Sequence, residues 1–126
     1  MKNKPYKLTL AKVLRSVNKA IENKTIQFLA PKALQGAGCA YGSGENDKYR
    51  CAVGSALPKY VINKLKAEDV NDSGVLSIRN KGYIEVDENE IDFISAIQSA
   101  HDNLVGSHRT PKGKIAYMKE EMEQYA

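Results

Sequence analysis

Along the chain, apolar residues fall first into a helical rhythm. Leu10, Val13, Leu14, Val17, Ala20 and Ile21 recur at steps of three and four, the spacing of an amphipathic helix with one buried stripe. Thr9 stands where an N-cap is needed, and Asn23 and Lys24 end the pattern. Thr25 to Leu29 reads as a short strand or extended loop that turns at Ala30-Pro31. The glycine-dense segment 36–44 suits tight turns and not a helix. Cys39-Ala-Tyr41 and Tyr49-Arg-Cys51 flank a polar loop, which predicts a small hairpin that sets the two cysteines near one another. Its tip, Gly42-Ser-Gly44, reads as flexible.

Farther on, Ala52, Val53, Ala56 and Leu57 predict a helical turn, and Pro58 fits the first position of a second turn with Tyr60, Val61 and Leu65 inward. Val75–Ile78 and Tyr83–Val86 flank Arg79-Asn-Lys-Gly82, which predicts a second hairpin. Asp87 and Glu90 have the spacing of a capping box, ahead of a stripe formed by Phe93, Ile94, Ile97, Ala100, Leu104 and Val105 that should end near Gly106. Thr110-Pro111 supplies a cap and a first-turn proline for a last helix with Ile115, Met118, Met122 and Tyr125 inward. The expected fold is α+β and predominantly helical: three to four helices and one or two small hairpins in a single domain over residues 1–126, with 1–8 as a flexible basic arm.

Composition changes this picture little. With 42% hydrophobic and 27% charged residues the chain has globular averages, which excludes disordered, collagen-like and coiled-coil classes. No apolar run approaches the roughly 18 residues of a membrane span, and charge interrupts the N-terminus before an export signal could form. A cytoplasmic protein with reduced thiols is therefore expected. Charge is more informative. The net +4 divides into +7 over residues 1–32 and −3 over the rest. Such a basic region can meet nucleic acid or an acidic protein surface, although spaced lysines are also what a solvated helix face carries.

Candidate chemistry gathers in two segments. Cys51 is expected at the start of a helix, where the dipole and free N–H groups favour a thiolate. Gln98 and His101 lie three apart, so they share the core-facing side with Ile94 and Val105. Should the segments meet, Cys51, His101 and Gln98 could form a Cys-His nucleophile site, as candidate catalytic residues. Cys39, Cys51 and His101, with Asp102 as an oxygen donor, would equally suit structural zinc, although no C-x-x-C or H-x-x-x-H pair is present. The third alternative is that both cysteines pack as small hydrophobes while Gln98 and His101 bond backbone groups; no cofactor is then needed. Tyr41, Tyr49, Tyr60 and Tyr83 could stack bases, but no nucleic-acid-binding signature accompanies them.

Cys39-x-Tyr41, Cys51-Ala-Val-Gly54 with Pro58, and Gln98-x-x-His101-Asp102 resemble, in order and spacing, a family of small uncharacterised phage and bacterial proteins. Those proteins carry C-x-Y, C-A-[IV]-G-x-x-[IL]-P and L-Q-x-x-H-D segments. Ile97 replaces the usual leucine, and Lys59 stands where an acidic residue commonly follows the proline. The resemblance implies that the three segments form one cluster, and Cys39, Tyr41, Cys51, Gln98, His101 and Asp102 are the candidate binding residues within it. It also implies a phage or prophage origin, and it carries no reaction with it. The expectation is a small accessory protein that binds a host macromolecule without catalysis. A host protein, a defence component among the candidates, is the first choice of partner and nucleic acid the second. A Cys51–His101 enzyme or ligand-binding protein and a zinc domain are the alternatives.

Overall fold

Leu10–Glu22 folds as helix α1, begun by Thr9, whose hydroxyl accepts from the Lys12 N–H at 3.2 Å. The computed structural model describes residues 5–30, 40–71, 73–105 and 107–125. The stripe read from the sequence is the buried one: Val13, Val17, Ala20 and Ile21 face the core while Arg15, Lys19 and Glu22 are exposed. Lys24 ends the helix in the left-handed region at φ 61°, and Ile26 then pairs with Arg50 in an isolated parallel bridge ahead of a single 3-10 turn, Gln27–Leu29.

The remaining helices are α2 (Lys59–Ala67), α3 (Val75–Asn80), α4 (Ile91–Val105) and α5 (Pro111–Glu123). Helices α4 and α5 pack together, α3 lies against α4, and α1 covers the short turn Gly54–Ala56 while touching α4 and α5. One apolar core runs through all of them, from Leu8 to Met122. The molecule is a mainly helical α+β domain, as the hydrophobic pattern predicts. In α5, Thr110 accepts from the Gly113 N–H at 3.1 Å with Pro111 at the first position, and Met118 and Met122 are buried.

Several local expectations are corrected. The segment 75–86 is no hairpin: Val75–Asn80 is helical, and Gly82 at φ 87° ends it. The Gly82 N–H bonds the Arg79 carbonyl and the Tyr83 N–H bonds the Ile78 carbonyl, the paired bonds of a Schellman cap. A glycine with positive φ serves a helix end as well as a hairpin turn, and Val75 and Ile78 bury one helical face with Leu76 exposed between them. Ile84–Glu85 forms strand β2, and its partner is Tyr6–Lys7, strand β1, in parallel. The expected flexible arm is thus part of the fold from Tyr6 onward, and Leu8 is fully buried. Lys7 adds ion pairs with Glu85 (3.2 Å) and Asp87 (2.9 Å).

The capping box is also rearranged. Asp87 turns its carboxylate to Lys7, and Glu90 accepts from the Leu10 N–H at 3.1 Å, so it caps α1 instead of its own helix. A carboxylate there complements the positive end of α1. The predicted helical piece over 52–57 is a brief 3-10 turn, and Pro58 precedes α2 as its N-cap residue.

The 42–49 loop departs from the expected flexible tip. Ser43 and Tyr49 pair in antiparallel fashion, which gives a hairpin of one residue pair. Asn46 and Asp47 inside it adopt left-handed backbone, φ 57° and 54°, and Asp47 is buried against Gly42 and Ile62. Its carboxylate is held by Lys66 at 2.7 Å and Lys59 at 3.3 Å. Burial alone would raise the Asp47 pKa; hydrogen bonds from the two lysines outweigh it and set the carboxyl below its ordinary value. A depressed folded-state pKa contributes stability above the unfolded value, and this is lost as pH falls through the folded one. Asp47→Asn is therefore expected to flatten the loss of stability below about pH 4 by about 1 kcal/mol, an amount moderated because both lysines are half exposed. Urea midpoints between neutral pH and pH 3 check this; an unchanged acid limb would refute it.

Candidate functional site

The face of α4 that carries Ile94, Gln98, His101 and Val105 is buried, as the spacing predicts. Gln98 bridges two elements through its side chain. Its Oε1 accepts from the Val53 N–H at 2.8 Å, and its Nε2 donates to Asp102 Oδ1 at 2.8 Å. The same carboxylate oxygen lies 3.1 Å from His101 Nδ1. Because a carboxylate only accepts, the matching histidine tautomer has its proton on Nδ1 and leaves Nε2 as an acceptor. That Nε2 is sealed in the core and has no hydrogen-bond partner among the described residues; the same is true of both amide atoms of Gln27. Phe28 packs its ring against the imidazole, with centroids 5.6 Å apart.

Opposite α4 lies the segment 50–57, whose path is set by Arg50. The guanidinium donates from Nε to the Asp47 carbonyl (2.9 Å) and from Nη1 to the carbonyls of Gly54 (3.1 Å) and Leu57 (2.8 Å). Burial lowers the Arg50 pKa, with the Asp47 charge opposing the shift; arginine nonetheless stays charged. Cys51 is fully buried, and its Sγ accepts from the Gly54 N–H at 3.4 Å. Gly54 is pressed onto Tyr41: a Cβ there would lie 2.1 Å from the Tyr41 carbonyl oxygen. Tyr41 itself is buried, with its N–H on the Asn71 carbonyl at 3.0 Å and its hydroxyl donating to the Ser73 carbonyl at 2.5 Å.

Tyr41, Cys51–Gly54 and Gln98–Asp102 are therefore brought together, by Gly54 against Tyr41 and by Gln98 against Val53. The expected helix start at Cys51 is corrected, because only two turn residues and a three-residue 3-10 turn follow it, too short to set up a useful dipole. Among the described residues no hydrogen bond joins Cys51 to His101, so the nucleophile–base contact is missing. Cys39, the proposed partner of Cys51 and a member of the zinc alternative, lies outside the described residues. Among the described residues no group of three or more His, Cys, Asp or Glu could hold a metal ion. Tyr41 is enclosed and cannot stack a base, whereas Tyr60 is exposed. No helix is long and apolar enough to cross a membrane among the described residues.

Sequence reading missed Arg50 and Asp47. Both look like surface charges in a polar loop, and their roles arise from carbonyls and lysines brought up by folding. Compared with protein-family models, curated proteins and solved structures, the chain matches none of them.

Proposed function

We propose that the protein is a small accessory protein of phage or prophage origin, working in the bacterial cytoplasm by binding a host macromolecule and not by catalysis. A host protein is the favoured partner, and a defence component is among the candidates. The observation that carries the non-catalytic reading is the enclosure of the candidate chemistry: Cys51 and His101 have no exposed surface, and Gln98 is occupied in tying α4 to Val53. A substrate would need an open, convergent pocket at those atoms. The resemblance of the three motif segments to those of small phage and bacterial proteins supports the phage origin. The cluster then acts as a latch that fixes the 40–57 segment on the helices and leaves function to the surface.

Thiol chemistry tests this. In a Cys39→Ser variant, Cys51 is expected to react with Ellman's reagent only as fast as the protein opens, with full reaction on denaturation. Rapid stoichiometric modification of Cys51 in the folded protein would overturn the non-enzymatic reading.

A further inference from the structure

A cleft between α1 and the loop that ends at Arg50 is lined by Ser16, Lys19, Asn23, Lys48, Arg50 and Ser55. It encloses about 240 Å³. Three of its side chains are cations, and among the described residues none of them has a carboxylate within ion-pair distance. Asp47 also borders the cleft, but its carboxylate is committed to Lys59 and Lys66. Arg15 stands four residues before Lys19 on α1, an arrangement that adds like-charge repulsion along the same helix face.

The guanidinium is already oriented by three backbone carbonyls through Nε and Nη1. Arg50 is half-buried and lines the cleft, and its Nη2 makes no hydrogen bond among the described residues, which leaves a donor for an incoming oxygen. No aromatic residue lines the cleft itself, and the ring of Tyr49 at its edge is already faced by the Lys48 ammonium, 5.4 Å from the centroid. Three cations border this polar concavity against one carboxylate, Asp47, whose ion pairs go to Lys59 and Lys66, and the positive balance matches the carboxylates of an acidic protein surface.

We propose that this cleft is the partner-binding site and receives an acidic side chain of the partner protein, held by Arg50 and flanked by Lys19 and Lys48. The assignment rests on the macromolecule-binding reading above and deepens it. The test is fluorescence anisotropy of the full chain with a short labelled glutamate-rich peptide and, separately, a labelled oligothymidylate of equal charge. The peptide is expected to bind at low salt, to weaken as salt rises, and to lose about tenfold or more in affinity when Lys19→Glu and Lys48→Glu are combined. Both lysines are exposed, so the double variant should fold normally, which circular dichroism checks. Lys81→Glu combined with Lys112→Glu, an equally exposed pair with the same change of charge outside the cleft, should weaken binding far less.

Failure of the peptide to bind at low salt would overturn the assignment. So would an equal loss with the charge-matched pair Lys81→Glu and Lys112→Glu, which would mean attraction to net charge alone. Tighter binding of the oligonucleotide with the same lysine dependence would also overturn it and make the cleft a phosphate site. Each of these results leaves Cys51 unreactive, whereas a reactive Cys51 removes the non-enzymatic reading whatever the peptide does.

Discussion

Gly54→Ala is expected to destabilise the protein by about 3 kcal/mol or more, or to prevent folding. The added Cβ would sit 2.1 Å from the Tyr41 carbonyl oxygen and 2.8 Å from its carbonyl carbon, both backbone atoms that cannot rotate away. Relief would require moving one of two anchored segments. Tyr41 is fixed by bonds to the carbonyls of Asn71 and Ser73, while Gly54 offers its carbonyl to Arg50 and its N–H to Cys51. Gly74→Ala is the control, since nothing lies within 4 Å of a Cβ at that position. It should change stability by less than about 1 kcal/mol. Urea unfolding followed by circular dichroism compares them. If the two variants prove equally stable, the close approach of Gly54 to Tyr41 is not what locks the segments together.

Gln98→Leu is expected to cost about 2–3 kcal/mol, because it leaves the buried Val53 N–H without its acceptor and releases Asp102. His101→Leu is expected to cost less. It forfeits the bond to Asp102 but also removes a buried Nε2 that has no partner among the described residues. The ordering follows from the asymmetry of hydrogen-bond energetics: orphaning a buried donor is worse than deleting a group that was only half satisfied. Denaturation midpoints of the two variants decide it. A His101→Leu variant clearly less stable than Gln98→Leu would show that the imidazole, and not the glutamine, is the main tie between α4 and the rest of the cluster.

These variants probe contacts that differ in how far they could be seen in the chain. Helix α1 with its Thr9 cap, helix α5 with Thr110-Pro111, and the inward face of α4 were legible because each depends on residues three or four apart. The inward orientation of His101 followed from the same geometry. What it and Gln98 bond to did not, since Val53 lies 45 residues from Gln98. The 75–86 segment reads as a hairpin because a four-residue apolar run fits a strand as well as one helical turn, and Gly82 suits either ending. Its real partner, Tyr6–Lys7, is about 78 residues away, a separation at which no local pattern specifies pairing. Glu90 has the spacing of a capping-box partner for its own helix, but folding assigns its carboxylate to the start of α1.

The sequence by itself determined helices α1, α4 and α5, the Thr9 and Thr110 caps and the stripe that each of these helices buries, because propensity, capping and amphipathic periodicity act within one or two turns of chain. Tertiary structure alone decided the parallel β1–β2 pair, the burial of Asp47 under two lysines and the enclosure of Cys51 and His101. It also placed Lys19 of α1 beside Lys48 and Arg50 of a later loop. Each of these depends on which distant groups share a low-dielectric interior or a common cleft, and that is set by packing of the whole core.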